Sequence, residues 1–121
     1  MPDAPAPDAP GAGCRWLVHD DRVLATLEVA ETRRERRRGL LGRDGIEGAL
    51  LLRPARSVHT IGMRFPIDVA HVDDELRIVH LCTMRPNRLG RLVWRARAVI
   101  ETEAGAFAGW DLAVGDTLEL R

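Results

Sequence analysis

Lysine and tyrosine are absent from this chain, and aromatic side chains of all kinds make up only 4% of it. A platform that stacks the bases of single-stranded nucleic acid needs exposed rings in series, and little here can supply them. The 18 basic residues, every one an arginine, are matched by 18 acidic ones, so the net charge of zero leaves no global field to steer a polyanion. Nucleic acid is therefore not expected as a partner. Arginine replaces lysine throughout, beside abundant Ala, Gly, Leu and Pro. That is a chain-wide bias, and it weakens any argument from a run of arginines to phosphate binding. Cysteine is scarce too. Cys14 and Cys82 cannot build a disulfide framework, and Met1 to Gly13 has neither the basic start nor the apolar stretch of a secretory signal, so a reducing cytoplasm is the expected location. No apolar run approaches the ~20 residues that cross a bilayer, so no membrane span is expected.

What is present describes one globular domain. The chain has 121 residues, 45% hydrophobic and 30% charged. A chain of that size can bury roughly two-thirds of its unfolded surface without a metal or disulfide staple. Residues 1–13 hold only Met, Pro, Asp, Ala and Gly, which cannot bury enough apolar surface to offset their ordering entropy. They are expected to be a disordered Pro/Ala-rich tail, with a single domain over 14–121.

Arg15 to His19 reads as a strand, Asp20-Asp21 as a turn, and Val23 to Val29 as the return arm, with Val23, Ala25, Leu27 and Val29 at period two. Thr32-Arg33-Arg34-Glu35 has capping-box spacing and predicts a short helix to about Gly42, with Arg36, Leu40 and Arg43 on one stripe. Gly39 within that helix costs roughly 1 kcal/mol against Ala and points to a close backbone approach. Ala49 to Leu52 reads as a buried strand. Ile67 to Asp73 and Leu76 to Met84 form a hairpin, and Arg85 to Gly90 an exposed, mobile loop. Arg97 to Glu103 is a further strand, Ala104 to Ala108 a helical turn, and Leu118 to Leu120 the last strand after a tight turn at Val114 to Thr117. About seven short strands and one or two short helices make an α+β, mainly β domain.

Polar groups concentrate among apolar neighbours between His59 and Asp68. Pro66 holds Phe65 extended, so this stretch enters the next strand with fixed geometry. Asp68 lies between Ile67 and Val69, where a carboxylate needs a cationic or multi-donor partner. The plainer reading is a buried Asp–Arg pair made with Arg64, Arg36 or Arg43. The functional one is a pocket where Arg64 and His59 meet an anionic or carbonyl-bearing ligand while Asp68 orients them.

Several blocks in order resemble the prokaryotic domain-of-unknown-function 192 family. They are Glu35 to Arg43, His59 to Met63 followed by Pro66-Ile67-Asp68-Val69, Val99-Ile100-Glu101 with Ala104-Gly105, and Val114-Gly115-Asp116, and the resemblance covers Ala25 to Leu120. The resemblance implies a compact, barrel-like mixed sheet with short helices, and it brings no activity, cofactor or substrate. It places Arg36, Arg43, Met63, Asp68 and Glu101 at motif positions, and His59 and Arg64 on a variant form of the motif. The candidate ligand-binding residues are accordingly His59, Arg64, Asp68, Arg36, Arg43 and Glu101.

Other constellations carry less. Arg33, Arg34, Arg36, Arg37 and Arg38 read as a solvated face partly neutralised by Glu31 and Glu35. His80 and Cys82 share a strand face that His71 joins if the register allows, but no metal-ligand spacing supports a zinc site. Trp94 and Trp110 read as core or rim. The expected function is a small soluble binding module with a polar pocket at His59–Asp68 beside the Arg36–Arg43 helix. Its partner would be a small anionic ligand or a protein, with no cofactor, no metal and no assigned catalytic residue, in a monomer or weak dimer. The alternatives are a small enzyme using His59 and Asp68 as an acid–base pair, and an accessory protein docking through an exposed apolar patch with Leu92 and Trp94.

Overall fold

Residues 14–121 are described by the computed structural model; the expected tail, residues 1–13, lies outside the described residues. In chain order the elements are β1 (Cys14–His19), β2 (Arg22–Ala30), α1 (Arg33–Arg38), β3 (Ala49–Leu52), β4 (Ile67–Val72), β5 (Ile78–Met84), β6 (Ala98–Glu103), α2 (Ala106–Gly109) and β7 (Glu119–Leu120). The seven strands form one sheet in the order β5-β4-β6-β3-β2-β1-β7, curled into a half-barrel. Every neighbouring pair described by register is antiparallel except β2–β3, whose crossover carries α1. Among the described residues, no helix is long and apolar enough to cross a membrane.

Asp20 and Asp21 take the left-handed conformation, φ 51° and 61°, which short polar side chains tolerate and a tight hairpin turn demands. The alternation expected in β2 holds only in part. Leu27 is fully buried, but Val23 is 52% exposed. The cause is register: β3 joins β2 only from Leu27 onward, so the start of β2 has β1 as its sole neighbour.

Both faces of the sheet are covered, which is why β3 and β4 are buried along their whole length. Leu17, Leu27, Leu51, Ile78, Ile100 and Phe107 fill one side, with α2. Leu40, Leu50, Leu52, Met63, Val69 and Val99 form a second cluster on the other side, with the chain that follows α1 and the loops.

Two further expectations are corrected. α1 stops at Arg38, because Gly39 adopts φ 47°, ψ −126°, and the chain breaks away to bury Leu40. Arg36, Leu40 and Arg43 therefore share no helical stripe. Gly39 is required by this conformation rather than by close packing, since a side chain there would meet its neighbours at 3.7 Å or more. The loop after β5 is exposed but pinned. Thr60 Oγ1 donates to Arg85 O at 2.6 Å and accepts from Arg88 N at 2.9 Å, and Asn87 Oδ1 accepts from Gly62 N at 2.9 Å.

Candidate functional site

Strand alternation puts Val99 and Glu101 of β6 on the face of the second cluster, where Glu101 sits in register between Leu50 of β3 and Val69 of β4. A carboxyl is thus set into an apolar cluster. Glu101 is 3% exposed, and its Oε1 has no hydrogen-bond partner. Burial alone pushes its pKa up to about 7. Near neutral pH the group therefore stands between a hydrogen-bond donor and an acceptor.

Glu101 lies at the base of a cleft of about 340 Å³. One wall is α1 and its exit, with Arg33, Arg37, Arg38 and Gly39; the other is the stretch from Pro54 to His59, with Met63 and Leu52 beneath. α1 is built for this place. Thr32 Oγ1 accepts from Glu35 N at 3.1 Å while Glu35 Oε1 accepts from Thr32 N at 3.0 Å, the reciprocal box the sequence implied. Those bonds also hold the Glu35 carboxyl below the usual range. Arg33, Arg37 and Arg38 are exposed and have no carboxylate partner among the described residues.

Arg36 is half-buried and ties the two walls together: its Nη1 donates to Glu31 O and, at 3.5 Å, to Arg53 O. His59 stands on the opposite rim. Its Nδ1 accepts from Ile61 N at 3.3 Å, which leaves Nε2 to carry the proton of the neutral ring.

Arg36, His59 and Glu101 thus line one cleft, and the other three candidates have partners elsewhere. Arg43 makes a forked pair with Glu28 at 2.8 and 3.0 Å, which lowers the pKa of Glu28 and raises that of Arg43. Arg64 pairs with Asp44 at 2.9 Å on the open surface.

Asp68 has no arginine partner. Its Oδ1 accepts from Thr83 Oγ1 at 2.6 Å, and its Oδ2 accepts from Gly105 N at 3.0 Å and Phe107 N at 3.1 Å. The multi-donor solution replaces the expected Asp–Arg pair, because the α2 turn brings backbone N–H groups that no sequence spacing announces. His59 and Asp68, the pair an acid–base mechanism would use, hold separate partners.

Arg33, Arg37, Arg38 and Arg56 also line the cleft and were not singled out for it, the helix arginines having read as a solvated face. The available signal was Glu101, an acidic residue following the apolar run Ala98-Val99-Ile100.

The second polar cluster resolves differently. His71 is buried opposite His80, while Cys82 lies opposite Val69. Among the described residues, no group of three or more His, Cys, Asp or Glu side chains is placed to hold a metal ion. Trp94 is 73% and Leu92 49% exposed, so Trp94 is a surface residue and not core.

The model of the domain-of-unknown-function 192 family, described as an uncharacterised ACR, matches residues 16–120. The chain belongs to that family. Among curated proteins none matches. The domain-of-unknown-function 192 fold is similar to a solved protein of unknown function from Novosphingobium aromaticivorans, 20% identical, with a TM-score of 0.75 over 98% of this chain and 94% of that one. It is also similar to a protein from Sinorhizobium meliloti proposed as a transcription regulator, 19% identical, with a TM-score of 0.72 over 88% of this chain and 92% of that one. At these identities the likeness shows the fold alone. It supports the mainly β α+β architecture and establishes no specific function.

Proposed function

We propose that this member of the family is a small binding module whose α1 cleft takes a small anionic ligand. The observation that carries the reading is the unpartnered, buried Glu101 carboxyl beneath a rim of Arg33, Arg37 and Arg38. The arginines offer forked donors to a carboxylate or phosphate. Leu52, Met63 and Val58 offer apolar walls to a short carbon body, and Glu101 offers a polar contact at the bottom. His59 adds one more donor at the rim. A monomer or weak dimer acting in the cytoplasm fits this reading.

Calorimetric titration with inorganic phosphate and with short-chain carboxylates tests it. The expected result is saturable binding that weakens on the order of tenfold in the Arg37→Ala/Arg38→Ala double variant, about the loss of one charge-assisted contact. Both arginines are exposed, so the fold should survive the change. Equal, unsaturating responses in the two proteins would contradict the proposal.

A further inference from the structure

β5 is the outer strand of the sheet, paired to β4 on one side only. Its first residue is closed off, since Ile78 N donates to Asp116 O and Ile78 O accepts from Gly115 N, both at 2.8 Å. From Val79 to Met84, no backbone hydrogen bond among the described residues closes the outer side. Protein sheets blunt such an edge with proline, a charged side chain or a bulge. The segment Val79-His80-Leu81-Cys82-Thr83-Met84 has no proline, Asp, Glu, Lys or Arg, and its one bulge is at its start, where Val79 is the extra residue between Ile78 and His80, leaving His80 to Met84 in regular register with β4.

A cleft of about 460 Å³ opens along this edge. His80, Cys82 and Met84, which share one face of the strand, line it together with Thr83. The facing wall is the pinned loop, which contributes Arg85, Arg88, Arg91 and the 79% exposed Leu89. No acidic residue occurs between Leu76 and Ile100, and those three arginines have no carboxylate partner among the described residues.

From the open backbone edge and the arginine wall beside it, we propose that β5 docks an extended acidic peptide segment, added as a strand along His80–Met84 with its carboxylates on Arg85, Arg88 and Arg91. Main-chain hydrogen bonds hold such a strand whatever its sequence, and the guanidinium groups select acidic side chains. A second copy of this chain fits less well. Arg77 and Arg85 bracket β5, so pairing two β5 edges in either direction sets arginine near arginine. The proposal stands apart from the Glu101 cleft and survives or fails without it.

The test uses the full chain, amide hydrogen exchange and a carbon-13 label on the methionine methyls. Three synthetic peptides serve as probes: alternating glutamate and valine, the same with lysine for glutamate, and the glutamate–valine peptide N-methylated at every residue, which leaves neither edge able to donate. The glutamate–valine peptide is expected to protect amides between His80 and Met84 and to shift the Met84 methyl while leaving the Met63 methyl still. The lysine and N-methylated peptides should do neither. An Arg85→Ala/Arg88→Ala/Arg91→Ala variant should bind on the order of tenfold more weakly or worse. No binding of the acidic peptide overturns the proposal, as does equal protection by the lysine peptide. Protection that grows with protein concentration alone also overturns it and marks an edge-to-edge dimer.

Discussion

His71 and His80 face each other across the β4–β5 pair with ring centroids 5.3 Å apart and planes at 67°. Neither nitrogen of His71, nor Nδ1 of His80, makes a hydrogen bond of good geometry, and the Arg91 backbone beside the His71 ring only partly offsets its burial. Burial first, then the neighbouring His80, holds the pKa of His71 down to about 4 from its ordinary 6.5. His71 therefore takes up its proton on unfolding between these values, and stability falls as pH falls through that window. Glu101 acts with the opposite sign. Raised from 4.5 to about 7, it is protonated in the fold and releases its proton on unfolding, so stability falls as pH rises through that range.

The two slopes, each about 1.4 kcal/mol per pH unit, cancel between the ordinary Glu value of 4.5 and the ordinary His value of 6.5. Urea denaturation across that window is expected to show rising stability with pH in Glu101→Gln and falling stability in His71→Leu, with the parent between them. Three parallel profiles would sink this account.

Asp68 joins three elements by accepting from Thr83, Gly105 and Phe107. Asp68→Ala leaves two backbone N–H groups without their acceptor, and a loss of roughly 2–5 kcal/mol is expected. Thr83→Val, which removes one donor, should cost about 1 kcal/mol. Chemical denaturation of both variants gives the comparison, and an equal cost would show that the carboxylate does not organise α2.

Gly48 has φ 86°, and a side chain added there would sit 2.6 Å from Thr26 O. Backbone cannot yield as a flexible side chain does. Gly48→Ala should therefore cost more than about 2 kcal/mol, through both the strained φ and the contact that opens β3 against β2. Gly45→Ala, with nothing within 4 Å and no positive φ, is the control and should lie near neutral. Thermal melts of the pair check this.

Arg64 and Asp44 form a pair whose side chains are 60% and 89% exposed. Pairs of that kind contribute little, so Arg64→Ala is expected to stay within about 0.5 kcal/mol of the parent. It should also leave phosphate binding unchanged. A large loss of affinity in that variant would move the ligand site away from α1.

Much of the fold could be read locally. Thr32 and Glu35 mark the helix start, Asp20-Asp21 the first turn, and the run Ala49 to Leu52 a strand buried on both faces. Each feature is decided by residues within a few positions of one another. What escaped was decided at a distance. Leu40 and Leu41 continue the apolar pattern past Gly39, so the φ 47° that ends α1 is invisible in it. Asp68 announces that it needs donors but not that they are the N–H groups of Gly105 and Phe107, 37 and 39 residues on. The cleft was half legible. Arg36, His59 and Glu101 were candidates, while the wall of Arg37 and Arg38 looked like an ordinary solvated face until the Pro54–His59 stretch closed against it.

Methionine methyl NMR tests the central claim most directly, because Met63 lines the α1 cleft and Met84 the cleft beside β5. Titration with inorganic phosphate and a short-chain carboxylate is expected to shift the Met63 methyl along a saturating curve. Met84 should stay still, and the curve should be lost or displaced in Glu101→Gln. A Met63 signal that never moves, or one that moves together with Met84, would contradict an anion-binding cleft at Glu101.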